Sequence, residues 1–421
     1  MKTPLGKLLP RFPHRGRTLS EHDVDVLVVG GGPIGCYTAS QIAKRGHSVL
    51  VVEEHAEVGR PIQCGGCITP RVFELPEADF RSTRGVVINK LRGANAVSPN
   101  GGLLSFKAPD TRAYVVNRSF FDKAFARLAI KHGAELSLNT RAKAASVEDG
   151  GAAVSVQTRE DEPVTRRAKL IVGADGVQSQ VAWWFKLSHP EKLVPSIELQ
   201  CAGLKLDADS VELFAGEKIA PGFFGWIIPY DDSSGLVGLG IDPKRGVALD
   251  YLNRLLTAPW FVERYGRAQD LEYVLSAIPF GLLKRTYGDH VMIVGDAAAQ
   301  VKQTTGGGLF MGLASAVHCA RAACEALDSG DFSGSALKTY QDGWMDDVGK
   351  ELKHAQVLHR MMASMSDKQM DLALEILNDP AFKDLIVRHG DIDFPSKLAK
   401  VALRKSPKLL RLVGPAIKAL F

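Results

Sequence analysis

One unit near the start of the chain restricts its fold more than any other. Val24-Asp25-Val26-Leu27-Val28-Val29 is a short β-branched run that stops at Gly30-Gly31-Gly32-Pro33-Ile34-Gly35. Residues 36–45 follow with Ala39, Ile42 and Ala43 at helical spacing. Ser48-Val49-Leu50-Val51-Val52 is then a second β-branched run, ending in Glu53. Strand, glycine turn, helix, strand and acid within about 30 residues make a complete dinucleotide-binding context rather than a bare motif. Gly30, Gly32 and Gly35 allow a tight turn, the approach of a pyrophosphate and close helix packing. The helix start, with Ile34, offers N–H donors and a positive dipole end. Glu53 is placed to accept from the ribose hydroxyls of the adenosine.

A second cluster stands far downstream. Val291-Met292-Ile293-Val294 reads as a buried strand that delivers Gly295-Asp296-Ala297-Ala298, with Gly306-Gly307-Gly308 shortly after. A long helix is expected over 308–328. An acid followed by bare backbone suits a polar sugar-like chain and a flat ring. The two clusters together point to one large cofactor, FAD, and away from NAD. Between them, Leu170-Ile171-Val172 is a further buried strand ending in Gly173-Ala174-Asp175-Gly176. Arg118 to His132 has helical spacing of Phe120, Phe121, Ala124, Leu128 and Ala129.

The fold expected is α/β. A Rossmann-like FAD-binding domain (24–84, 112–184 and 281–330) carries an inserted antiparallel-sheet substrate domain (85–111 and 185–280). A basic extension (1–23) precedes it and a helical C-terminal region (331–421) follows, with breaks near Pro380, Pro395, Pro407 and Pro415. The chain of 421 residues is long enough for two or three domains.

Charge is unevenly placed. Residues 1–20 hold five basic and no acidic residues, and residues 397–421 hold seven basic and no acidic. These twelve outweigh the net charge of +5, so residues 21–396 carry −7. The C-terminal end adds Leu409, Leu410, Leu412, Val413, Ile417, Leu420 and Phe421, a composition suited to an anionic membrane surface. Packing of that end on the body with a solvated basic face is the alternative. Nucleic acid is not expected, because the basic residues lack interleaved aromatics. No 18-residue apolar run and no signal peptide is seen, so a cytoplasmic, peripherally membrane-associated protein is expected. Six cysteines are scattered as in a reducing compartment. Cys64 and Cys67 have the spacing of half a zinc site or of a redox dithiol, but no second ligand pair stands nearby, so no metal is expected.

The order Gly30–Gly35 with Glu53, Gly173–Gly176 with Ser179, and Gly295-Asp296 with Gly306–Gly308 resembles the flavoprotein family that includes the aromatic hydroxylases. Within it, Pro221-Gly222-Phe223-Phe224-Gly225-Trp226-Ile227-Ile228-Pro229 resembles the P-x-x-Y-x-W-x-F-P signature of geranylgeranyl reductases, with Phe224 for the tyrosine and Ile228 for the phenylalanine. Gly59-Arg60-Pro61-Ile62-Gln63-Cys64-Gly65-Gly66 resembles their cysteine-containing turn, and "GDAAAQVKQTTGGG" their GD segment, with Gln303 where proline is usual.

The resemblance implies that Asp296 accepts from the ribityl chain, that Gly308 and Leu309 begin a helix facing the flavin ring, and that Arg118 contacts the cofactor. It also places Ala142 beside the adenine and Cys64 and Gly65 near the ring, with Cys64 a candidate catalytic group. Phe224, Trp226 and Ile228 become walls of an apolar substrate pocket. The implied function is saturation of C=C bonds in geranylgeranyl (isoprenoid) chains of a lipid, by hydride from reduced flavin plus a proton, with NADPH or a ferredoxin as electron donor. An FAD-dependent monooxygenase or halogenase acting on an apolar or aromatic substrate is the alternative. A quinone oxidoreductase with a late four-cysteine cluster is excluded, since no cysteine follows Cys324. A flavin-free prenyl-binding escort is disfavoured because Glu53, Arg118 and Asp296 are all present.

Overall fold

The computed structural model describes residues 23–148, 150–158 and 161–405. The basic N-terminal extension and the apolar-basic stretch from Leu409 onward lie outside them.

The central sheet is built around Val24–Val29, which pairs in parallel with Val49–Val52 on one side and Val164–Gly173 on the other. Glu135–Ser137 and Val291–Ile293 extend it in parallel at either flank. A hairpin, Thr140–Glu148 with Gly151–Thr158, runs antiparallel on Val164–Gly173. Val26, Leu27 and Val28 are wholly buried, as a strand covered on both faces requires. Helices Pro33–Ala43, Arg118–Lys131 and Leu309–Ser329 supply one cover, with Tyr37, Phe121 and Phe125 meeting edge to face beneath them.

A second sheet of seven strands carries the expected 221–229 segment as Gly225–Pro229, paired antiparallel with Ser210–Phe214 and Ser234–Gly240. Ser234–Gly240 in turn pairs with Lys192–Ala202, and that with Gln269–Phe280. Strand Gly93–Val97 joins in parallel beside Ser210–Phe214. Val87–Leu91 instead pairs with Ala113–Val116 in a separate three-stranded sheet.

Residues 195–280 are not sheet throughout. Ala248–Thr257 and Pro259–Tyr265 are helices, and their Leu252, Leu255, Phe261 and Tyr265 are buried against Ile197, Leu199, Ile227, Val237 and Leu239. Leu252, Leu255 and Leu256 recur at helical spacing, so tertiary packing here follows a local signal that β-rich flanks obscured.

C-terminal helices Gly334–Trp344, Lys350–Ala363, Asp367–Leu377, Pro380–His389 and Pro395–Lys405 follow. Pro380 and Pro395 open helices rather than break them, the position where a missing N–H costs nothing.

Candidate active site

The first strand ends on Gly30, whose φ of +107° is a conformation that side chains rarely adopt. A Cβ there would stand 2.3 Å from the Ala174 carbonyl oxygen, and one at Gly35 would stand 2.1 Å from that of Gly30. Both glycines are demanded by the protein's own packing. Gly32 differs: a Cβ there would meet nothing within 4 Å. The helix that starts at Pro33 has neither a capping side chain nor an acid in its first turn, so no side-chain cap takes its leading N–H groups. Glu53 bounds the far side. Its Oε2 accepts from Gly31 N–H at 2.7 Å, while Oε1 accepts from His55 N–H and lies 2.6 Å from the His55 ring. Thr140 N–H donates to the Glu53 carbonyl at 2.8 Å, so the strand bearing the partly buried Ala142 begins beside it.

The second glycine cluster meets the first at Ile34. A Cβ at Gly295 would lie 3.1 Å from the Ile34 side chain, and one at Gly312 would lie 3.0 Å from it. Two segments distant in sequence are thereby locked around one isoleucine. Asp296, next in the chain, has no hydrogen bond or ion pair to its side chain among the described residues. Burial raises its pKa, and only Arg118 opposes that rise. A Cβ at Gly308 would sit 3.1 Å from Asp296 Oδ1. Gly308 precedes helix Leu309–Ser329, which also starts without a side-chain cap. Gln300, fully buried, holds the turn: it accepts from Gly295 N–H at 2.8 Å and donates to the Tyr340 hydroxyl at 2.9 Å.

Arg118 stands beside the Cys64 turn, where a Cβ at Gly66 would lie 3.6 Å from its side chain. Its guanidinium makes two bonds to the Asp122 carboxylate, at 2.8 and 2.9 Å. Burial works against its charge, but the Asp122 carboxylate more than offsets this and raises its pKa. Burial also raises the Cys64 thiol, against the pull of Arg118, so the group is a neutral thiol near pH 7. Gly65 is pressed close: a Cβ there would lie 2.6 Å from Ile228 Cδ1 and 2.9 Å from Glu198 Oε1.

The seven-stranded sheet turns Trp226 and Ile228 toward this turn. Ile228 packs with Leu91, Ala113, Val115 and Leu236, and Trp226 flanks them. Ile227, with opposite alternation, is buried in the helix-covered core on the other face. Phe224 stacks near Phe223 and Trp226, with ring centroids 4.3 and 5.5 Å away. Phe223 continues the aromatic wall to Phe280 and His359. A Cβ at Gly306 would stand 2.8 Å from Ile278 and 3.5 Å from Phe223.

Sequence reasoning singled out neither Glu198 nor His359, Lys302 or Gln300. Glu198 is 3% exposed, and it is the lone acid in the apolar run Leu193–Ala202, a signal that was readable. His359 is pushed down to about 4 by burial and then by Lys192, so it is neutral near pH 7. Lys302, in the loop before Gly306, is buried in an ion pair with Asp393 at 2.7 Å. Asp175, by contrast, is occupied by its own turn, with bonds from the Ser179 hydroxyl and Val181 N–H. No group of three potential metal ligands occurs among the described residues.

A glycine turn with open space at Gly32, an acid at the end of the next strand and, among the described residues, an unpartnered carboxylate beside bare glycine backbone fit FAD. An FAD binding domain family model matches residues 23–232. A digeranylgeranylglycerophospholipid reductase of Methanopyrus kandleri is 31% identical over 397 residues, covering 92% of this chain and 98% of that one. One from Methanocaldococcus jannaschii is 29% identical, covering 92% and 96%. The crystal structure of a geranylgeranyl bacteriochlorophyll reductase-like protein of Thermoplasma acidophilum superposes with a TM-score of 0.84 at 25% identity, covering 94% of this chain and 99% of that one. A flavin-dependent brominase shares the fold at a TM-score of 0.71 and 17% identity.

Proposed function

Because the chain belongs to the FAD-dependent geranylgeranyl reductase family, we propose that it saturates C=C bonds in the geranylgeranyl chains of a lipid. Bound and reduced, FAD supplies a hydride to carbon. The N–H groups of Gly32, Ile34 and Gly35 would hold its diphosphate, with Gly30 shaping their turn and Glu53 taking the adenosine ribose. The backbone of Ala142 would flank the adenine, and Asp296 would accept from the ribityl hydroxyls. Arg118, Cys64, Gly65, Gly308 and Leu309 would surround the ring. Electrons come from NADPH or a ferredoxin.

One observation carries the substrate assignment. The apolar face formed by Phe224, Trp226 and Ile228 is not spent on the helix-covered core. It abuts Gly65, while its neighbour Phe223 reaches Gly306, in the two loops assigned to the ring. A branched hydrocarbon offers no hydrogen-bonding handle, so walls of this kind are what recognise it and exclude water.

Attachment to an anionic membrane surface suits such a substrate. Leu271, Tyr273 and Leu275 alternate along the outermost strand, Gln269–Phe280, and are 61%, 47% and 70% exposed. No helix among the described residues is long and apolar enough to cross a membrane.

The test is mass spectrometry of geranylgeranyl lipids after incubation with dithionite-reduced holoenzyme. A gain of two hydrogens per double bond is expected. No gain on any prenyl lipid, together with oxygen uptake on an aromatic substrate, would replace this reading with a monooxygenase.

A further inference from the structure

An isolated trisubstituted alkene is not polarised, so hydride addition at one carbon requires a proton at the other. The proton source must be buried with the hydrocarbon, able to keep its proton up to near-neutral pH, and within reach of the ring-side loops. We propose that Glu198 is that acid, a step that rests on the reductase reading above.

Glu198 lies in strand Lys192–Ala202, opposite Gly238 of Ser234–Gly240, which in turn lies opposite Trp226. The Trp226 indole donates to Glu198 Oε1 at 3.0 Å, over the top of Gly238. Glu198 Oε2 is buried and has no hydrogen-bond partner among the described residues. A buried ionised oxygen in that state is costly, whereas a protonated one is a donor awaiting an acceptor. The Cys64-Gly65 turn closes over the same carboxyl. The groups that face it are the Trp226 N–H, the Arg118 guanidinium, the Cys64 thiol and the Tyr230 hydroxyl. Burial lifts Glu198 to about 7, against Trp226 and Arg118. Cys64, whose thiol is itself raised from 9.0, yields its proton less readily than Glu198.

In the step, the alkene π pair forms a C–H bond with the Glu198 proton, and the other carbon takes the hydride supplied by reduced flavin. The two electrons that the alkene gains are those of the hydride that bound, reduced FAD would supply. Glu198 is left as a carboxylate, stabilised by Trp226 and Arg118, and regains a proton from water when product leaves.

Two measurements on the FAD-loaded full chain decide the matter. In single turnovers of dithionite-reduced enzyme on a geranylgeranyl glycerophospholipid in micelles, the wild-type rate is expected to fall as pH rises through about 7. E198Q keeps the Trp226 acceptor and is expected to lose about 10²–10⁴-fold, without that pH limb, while its flavin spectrum and dithionite reduction stay unchanged. Infrared difference spectra supply a readout independent of turnover. A protonated-carboxyl band is expected below pH 7, lost above it and absent from E198Q. Wild-type rate and pH profile in E198Q would overturn the proposal. So would a wild-type spectrum with no such band, even if E198Q does not fold. If wild type saturates no prenyl lipid, the reductase reading fails instead, and the infrared band alone decides whether Glu198 holds the proton.

Discussion

Trp226 and Glu198 sit on strands that are not neighbours, yet the indole N–H reaches the carboxyl at 3.0 Å because Gly238, between them, has no side chain. A Cβ at Gly238 would fall 2.7 Å from both Glu198 Cγ and Trp226 Nε1. W226F removes a donor that favours the carboxylate, so the Glu198 pKa moves further up. The midpoint of the pH-rate profile is expected to shift alkaline, and titration of the carboxyl band in W226F checks it.

Stability carries the same group's signature. Glu198 is raised from 4.5 to about 7 in the fold. Between those values the folded state holds more protons than the unfolded chain, so stability falls as pH rises through that window and levels off above it. E198Q lacks this loss. Its stability relative to wild type is expected to grow from pH 5 to pH 8, by up to about 3 kcal/mol at about 1.4 kcal/mol per pKa unit. Denaturant midpoints of the two proteins at both pH values read the difference directly.

The glycines of the first turn are expected to separate by role. G35A forces a methyl against the Gly30 carbonyl, and G30A does so against Ala174 while also losing a positive φ. Each is expected to cost about 1–3 kcal/mol of stability even without cofactor. G32A meets open space, so its apo melting temperature should match wild type while flavin retention on dialysis is lost. Equal effects of all three on the apo protein would contradict this division.

Asp296 gives the opposite pattern to a structural acid. Its carboxylate has no partner among the described residues, so D296A is expected to leave the apo fold as stable as wild type or slightly more so. Loss of a charge-assisted bond should weaken FAD by about 10–100-fold, corresponding to about 1.5–3 kcal/mol. Fluorescence titration of free FAD and thermal melting of the apo protein measure the two halves.

Lys302 links the loop before Gly306 to the C-terminal region through Asp393, and both side chains are nearly inaccessible. D393A strands a buried ammonium and is expected to cost about 3–5 kcal/mol. Limited proteolysis with and without FAD should show the C-terminal helices released first in this variant.

The glycine turn was legible because each requirement is local. Val24–Val29, Gly30–Gly35 and Glu53 all fall in one supersecondary unit, and the structure assembles it as read. Gly295-Asp296 was legible for the same reason. Glu198 was not picked out, because its meaning depends on a partner 28 residues away and on the bare backbone of Gly238. Lys302 is harder still: in sequence it is an ordinary lysine, and only the return of the chain to Asp393 buries it. Helices Ala248–Thr257 and Pro259–Tyr265 were missed although their spacing was visible, because strands on both sides dominated the reading.

The Gly225–Pro229 strand is a partition with one side in each of two rooms. Ile227 belongs to the helix-backed interior, Trp226 and Ile228 to the apolar cluster with Leu91, Ala113 and Leu236 on the other side. Adjacent positions therefore answer to different pressures. Ile227 is free to vary among residues that fill its space, whereas Trp226 must also keep an N–H for Glu198. Under the proposed function, the face that Ile228 turns to Gly65 can change without touching the framework that supports it.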